Sequence, residues 1–120
     1  MVVLALLFAI QAHWTDPMPT HGWIFVGASD DNAVFIQPGP RPTLHWRRLE
    51  LRRAQSTGLR SVRSLIQVDC AGGRSRSIQR ADYSQPNLDG PTMATDSSIG
   101  DWTYDGPGTL GGSFLEEACR

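Results

Sequence analysis

Two cysteines constrain this chain most, because a single crosslink in an exported protein has one way to form. Cys70 follows the strand-like run 61–69, and Cys119 ends a short helix-like run at the C-terminus. Residues 1–12 read as a leader, with an apolar run over 2–10 and the small Ala12 ahead of a cleavage point. That run is too short to cross a bilayer as a helix. No Lys or Arg precedes it and Ile10 is large for its place, so a mis-set start codon or a buried first strand is the competing reading. Export brings the chain to where thiols oxidise. Joining Cys70 to Cys119 would close a loop of about 50 residues, worth roughly 4 kcal/mol in the chain-entropy account. That is a large share of the ~5–15 kcal/mol that holds an ordinary domain together.

The chain has 120 residues, enough for one domain. The expected division is a signal peptide and lead-in over 1–20 and a single β domain over 21–120. No later run reaches the ~18 apolar residues of a membrane helix. No cysteine follows the leader closely, so no lipid anchor is drawn there. The expected location is the bacterial periplasm or cell surface, or the medium.

Every basic side chain is arginine, and the charges are segregated. Residues 41–80 carry ten arginines against Glu50 and Asp69, a local balance of +8. Residues 81–119 carry seven acids and no base. Arginine forms planar, two-point pairs with carboxylates and phosphates. The plainer reading is that the basic and acidic halves meet and neutralise each other. The functional reading is an anion-recognising face, with Arg47, Arg48, Arg52 and Trp46 as candidate binding residues. Nucleic acid is not an expected partner, since the whole chain carries a net charge of −1.

The apolar pattern predicts mainly antiparallel β structure, a sheet or a sandwich, with one C-terminal helix. Residues 22–28 and 33–37 read as a hairpin around the polar turn 29–32. Residues 38–42, with three prolines, form a loop. Residues 43–53 read as a strand with a bulge near Arg47 and Arg48, which would bring Leu44, Trp46, Leu49 and Leu51 to one face. A helix is the alternative there. Over 61–70, Val62, Ser64, Ile66, Val68 and Cys70 alternate onto one side, which makes Cys70 core-facing. Residues 74–83 are a polar strand, 84–100 are mostly loop with a short strand at 92–95, and 110–119 are the helix. Either Thr109 or Ser113 can cap it.

Catalytic signatures are scarce. Gly106, Gly108 and Gly111 formally match the dinucleotide fingerprint, but no strand with an acidic residue follows before Arg120, so a turn and helix cap explain them. The serine-hydrolase elbow, the P-loop, the zinc-protease motif and the redox Cys pair do not occur. His13, His21 and His45 form no ligand set, and His45 beside Trp46 reads as packing. Asp30, Asp31 and Asn32 read as a turn. Asp101 and Asp105, flanking Trp102 and Tyr104, are the one conceivable carboxylate pair. The expectation is no enzyme, no cofactor and no metal.

Trp23 with Gly27, Ser29 and Asp31, then 34–36, Trp46, Asp69-Cys70, Tyr83, Trp102, 107–109 and Cys119 stand in an order that resembles the surface-adhesin protein E family. The resemblance spans about residues 22–120. It departs at Gln37, where an aspartate is usual. It implies a small antiparallel β domain and, for the founding adhesin, binding of host matrix proteins.

Three functions follow, each with its own structural signature. A protein-binding module predicts an exposed arginine–aromatic face. A periplasmic carrier or sensor of a small anionic ligand predicts a cavity lined by Arg47, Arg48 or Arg52. A hydrolase predicts His45 within hydrogen-bond reach of a carboxylate and a serine. The first is the leading expectation.

Overall fold

The computed structural model describes residues 19–120. The leader-like segment falls outside the described residues. Six strands form one antiparallel sheet in sequence order: β1 (Ile24–Ala28), β2 (Asn32–Pro38), β3 (Leu44–Leu51), β4 (Ser61–Asp69), β5 (Arg74–Tyr83) and β6 (Thr92–Asp96). Among the described residues one α-helix, α1 (Leu110–Ala118), closes the chain, and a 3-10 turn lies at Pro86–Leu88. The fold is therefore a single sheet with a terminal helix, not a sandwich.

Each turn follows from local chemistry. The Ser29 hydroxyl accepts from the Asn32 amide at 3.2 Å, closing the first hairpin. The 38–42 loop returns through Gly39, whose amide bonds the Leu44 carbonyl at 3.1 Å. Gly73 takes φ +66° in the β4–β5 turn, a conformation that glycine adopts without strain.

Pleating divides the residues between two faces. Register pairs Val34 with Leu49 and Leu49 with Val62, so these three share a face. On that side Val34, Ile36, Ile66 and Val68 enclose Phe114 of α1, with Val26, Leu49, Leu110 and Leu115 around them. Phe114 is 2% exposed, and such burial stabilises by about 1.5–3 kcal/mol. α1 lies over Gly27, where a Cβ would come to van der Waals contact with Leu110 at 3.4 Å. Thr109 caps α1, its hydroxyl accepting from the Gly112 amide at 3.0 Å.

Cys70 and Cys119 are bonded, with Cα atoms 5.8 Å apart. Cys70 differs from expectation in one respect. It lies past the end of β4, in the turn, and is exposed, because the alternation that would aim it inward stops at Asp69. β3 also differs. Its register runs without a shift against both β2 and β4, so no bulge brings its apolar residues together. Instead Leu49 and Leu51 share the helix face with His45 and Arg47, while Leu44 and Trp46 share the other face with Arg48 and Glu50. The bulges fall at Val26 in β1, at Ile78 in β5 and between Asp82 and Tyr83.

Among the described residues, one end of the face away from α1 is covered by a separate segment. There Pro19, Thr20 and the 3-10 turn pack over Arg48, Glu50 and Ser61. The Ser61 hydroxyl donates to the Gln85 carbonyl at 2.6 Å and accepts from the Leu88 amide at 3.1 Å. Asn87 sits at φ +64°, a left-handed conformation that asparagine tolerates.

Candidate functional site

Arginines and tryptophans meet on the remainder of the helix-free face. Register places Trp46 opposite Leu65, Leu44 opposite Gln67, and Gln67 opposite Arg76. These side chains therefore stand on one side of the sheet. Arg63 of β4 lies over the Trp46 ring at 5.0 Å. Arg74 and Arg76 of β5 lie 4.2 and 4.3 Å from the centroid of Trp102. Trp102 reaches them because residues 100–103 continue along the edge of β5, with Ser75 and Thr103 exchanging backbone bonds of 3.0 and 2.8 Å.

The arginines on Trp102 are held by further bonds. Arg76 donates from Nε to Gln67 Oε1 at 2.7 Å. Arg74 donates from Nε to Asp69 Oδ2 at 2.8 Å, and Asp69 Oδ1 accepts from the Gly72 amide at 2.9 Å. These bonds, Arg74 first, hold the Asp69 carboxyl below its ordinary range. The Asp69 bond raises the Arg74 guanidinium in turn, with Tyr104 adding to the effect. Cation–π contacts of this kind are worth ~0.5–1 kcal/mol where water reaches them. Their larger consequence is order, since a stacked guanidinium has few rotamers left to lose.

The four residues singled out from the sequence do not form one cluster. Trp46 belongs to the face just described and is half-buried. Arg48 shares that side but lies beneath the covered end, 1% exposed. Its Nε bonds Glu50 Oε2 at 2.6 Å, its terminal nitrogens bond the carbonyls of Pro19 and Thr20 and the Asn87 side chain, and it stacks on Phe35 at 4.1 Å. Arg47 points to the helix side, 5.9 Å from the Phe114 centroid. Burial lowers its pKa, while Asp105 opposes that shift and Arg80 adds to it. Arg52 lies past β3 and donates to the Asp30 carbonyl at 3.3 Å.

Arg63, Arg74 and Arg76 were not singled out, although their signal was present. They occupy alternate, polar positions of two well-patterned strands. Their tryptophan partners come from a neighbouring strand and from a segment about 26 residues onward.

The basic and acidic halves meet, but few ion pairs join them. Among the described residues, Arg48–Glu50 and Arg74–Asp69 lie within the basic half, and Arg80–Asp82 alone crosses the boundary. A shallow depression of about 400 Å³ is lined by Arg80, Asp82, Ala94, Thr95 and Asp96. Another, of about 220 Å³, is lined by Asp31, Asn32, Leu51, Arg53 and Gln55. Neither contains Arg47, Arg48 or Arg52. His45 Nδ1 is buried with no hydrogen-bond partner among the described residues, so it shows no base–carboxylate or base–serine contact. No described group of three or more His, Cys, Asp or Glu is placed to hold a metal. No described helix is long and apolar enough to cross a membrane.

A family model for surface-adhesin protein E matches residues 23–120. No curated protein and no solved structure matches the chain.

Proposed function

The chain belongs to the surface-adhesin protein E family, and from that premise we propose that it is an exported, non-enzymatic surface protein whose helix-free face makes contact with another protein. The observation that carries this reading is the pair of preformed stacks, Arg63 on Trp46 and Arg74 with Arg76 on Trp102. Tryptophan and arginine are the residue types that dominate the energetic centres of protein interfaces. Here Arg74 and Arg76 are held by hydrogen bonds as well as by Trp102, and Arg63 rests on Trp46, so contact costs these side chains less entropy. Exposed Tyr104 extends the patch. The carrier reading has less support, because the described depressions are open, shallow and lined by other residues.

The test is binding of the full chain to immobilised basement-membrane extract, read by interferometry. Wild-type protein should bind. A Trp46→Ala/Trp102→Ala variant should bind at least tenfold more weakly with an unchanged far-UV circular dichroism spectrum, whereas Arg41→Ala should bind as wild type does. If the folded double variant binds normally, the contact lies elsewhere. If the wild-type chain does not bind at all, the adhesin reading fails.

A further inference from the structure

The arginines of the helix-free face are not equivalent. Arg74 is neutralised by Asp69, and so is committed to holding Trp102. Arg63 and Arg76 enter no ion pair among the described residues. Arg76 is held by the uncharged Gln67 side chain and by the Trp102 ring. Arg63, which is exposed, rests on the Trp46 ring. A guanidinium carries five donors in a rigid fork. Stacking uses its flat surface and one Nε bond uses a single donor, which leaves its edge open to an anion.

The spacing of the two cations adds a constraint. Gln67, the register partner of Arg76, lies four positions beyond Arg63 on β4. Four residues of strand cover about 13 Å. In an extended peptide, positions i and i+4 are equally far apart and point the same way. Two carboxylates at about that backbone spacing would match the offset along the sheet of the strand positions that carry Arg63 and Arg76.

Resting on the protein-contact reading above, we infer that the partner segment docking on this face is an acidic, extended polypeptide whose carboxylates pair with Arg63 and Arg76. Charge complementarity carries the inference: two guanidiniums with no ion-pair partner among the described residues lie over two aromatic rings. Arginine–carboxylate pairing favours a peptide over an uncharged surface, and the tryptophans supply the desolvated contact that holds such a segment once it has arrived.

The experiment titrates the full chain with poly-L-glutamate at low ionic strength and again at high salt, following tryptophan fluorescence and interferometry. Wild-type protein should bind, and salt should weaken the binding. Arg63→Glu/Arg76→Glu should lower affinity at least tenfold, and the gentler Arg63→Gln/Arg76→Gln should do so in the same direction. Arg41→Glu/Arg53→Glu, with the same change in net charge, should bind as wild type does. Equal loss in both reversal variants would reduce the effect to overall charge and overturn the inference. Binding of heparin but not of poly-L-glutamate would also overturn it, in favour of a sulfated glycan. Tryptophan-dependent binding to matrix extract with which poly-L-glutamate neither binds nor competes would sink the acidic segment and leave the adhesin reading standing.

Discussion

Arg48 and Glu50, two positions apart on β3, form an ion pair of 2.6 Å with side chains only 1% and 4% exposed. Alternation puts both on one face, and the 3-10 turn seals them there. The Asn87 amide donates to both Glu50 oxygens, at 3.0 and 3.1 Å. The pair is thus the centre of a network that fastens residues 19–20 and 86–88 to the sheet.

Breaking that pair strands a charge out of water. Arg48→Met or Glu50→Leu should each lower unfolding free energy by about 3–5 kcal/mol, measured by urea denaturation. The double variant should lose less than the sum of the two, because neither charge is left alone. A strictly additive double variant would show that the two side chains act independently.

Removing the crosslink should weaken the fold without abolishing it. Cys70→Ser/Cys119→Ser should cost about 2–4 kcal/mol. The urea midpoint should fall while the dependence on denaturant steepens, because the uncrosslinked unfolded chain exposes more surface. The sheet spectrum should survive, since Phe114 still anchors α1.

Two adjacent glycines in α1 should behave oppositely. A Cβ at Gly112 would overlap the carbonyl oxygen of Gly106, which is backbone and cannot step aside. Gly112→Ala should therefore destabilise by roughly 1–3 kcal/mol despite alanine's helix preference. The nearest atoms a Cβ at Gly111 would meet are those of the Asp105 carboxylate, a side chain that can rotate away. Gly111→Ala should be neutral or stabilise by up to about 1 kcal/mol. Thermal unfolding of the two variants checks the order.

His45 should give the protein a mild acid sensitivity. Burial holds its imidazole below the ordinary value of 6.5. The unfolded chain therefore takes up the proton first as pH falls. Stability is full above about pH 6.5 and declines below it, until folded His45 is itself protonated. Urea midpoints between about pH 7.5 and 5.5 should fall for the wild type and flatten in His45→Gln. An unchanged slope in the variant would assign the sensitivity to other groups.

Much of the fold was legible because its signals are local. Val34, Phe35 and Ile36 form a buried strand wherever they are placed, and the alternation of Val62, Ser64, Ile66 and Val68 states its own face. Thr109 ahead of a short apolar run reads as a cap. What local pattern does not carry is who meets whom. Arg48 looks like any arginine of a basic segment, yet besides Glu50 its partners are the carbonyls of Pro19 and Thr20 and the side chain of Asn87, all 28 or more positions away. Trp102 sits in a loop-like stretch, and only the Ser75–Thr103 bridge brings it over Arg74 and Arg76. The β3 bulge was expected so as to gather four apolar residues on one side. The strand stays regular because both of its sides are used, the helix side by Leu49 and Leu51 and the other by the Arg48–Glu50 network.

The bond from Cys119 to the end of β4 also decides how a surface protein of this design would carry load. Tension applied between the N-terminal part and the C-terminus would pass from residue 120 straight to Cys70 through sulfur. It would bypass β5, β6, the Trp102 segment and α1, which hang together in a mechanically shielded loop. Half of the aromatic contact face would then stay folded under shear for as long as that covalent shortcut held.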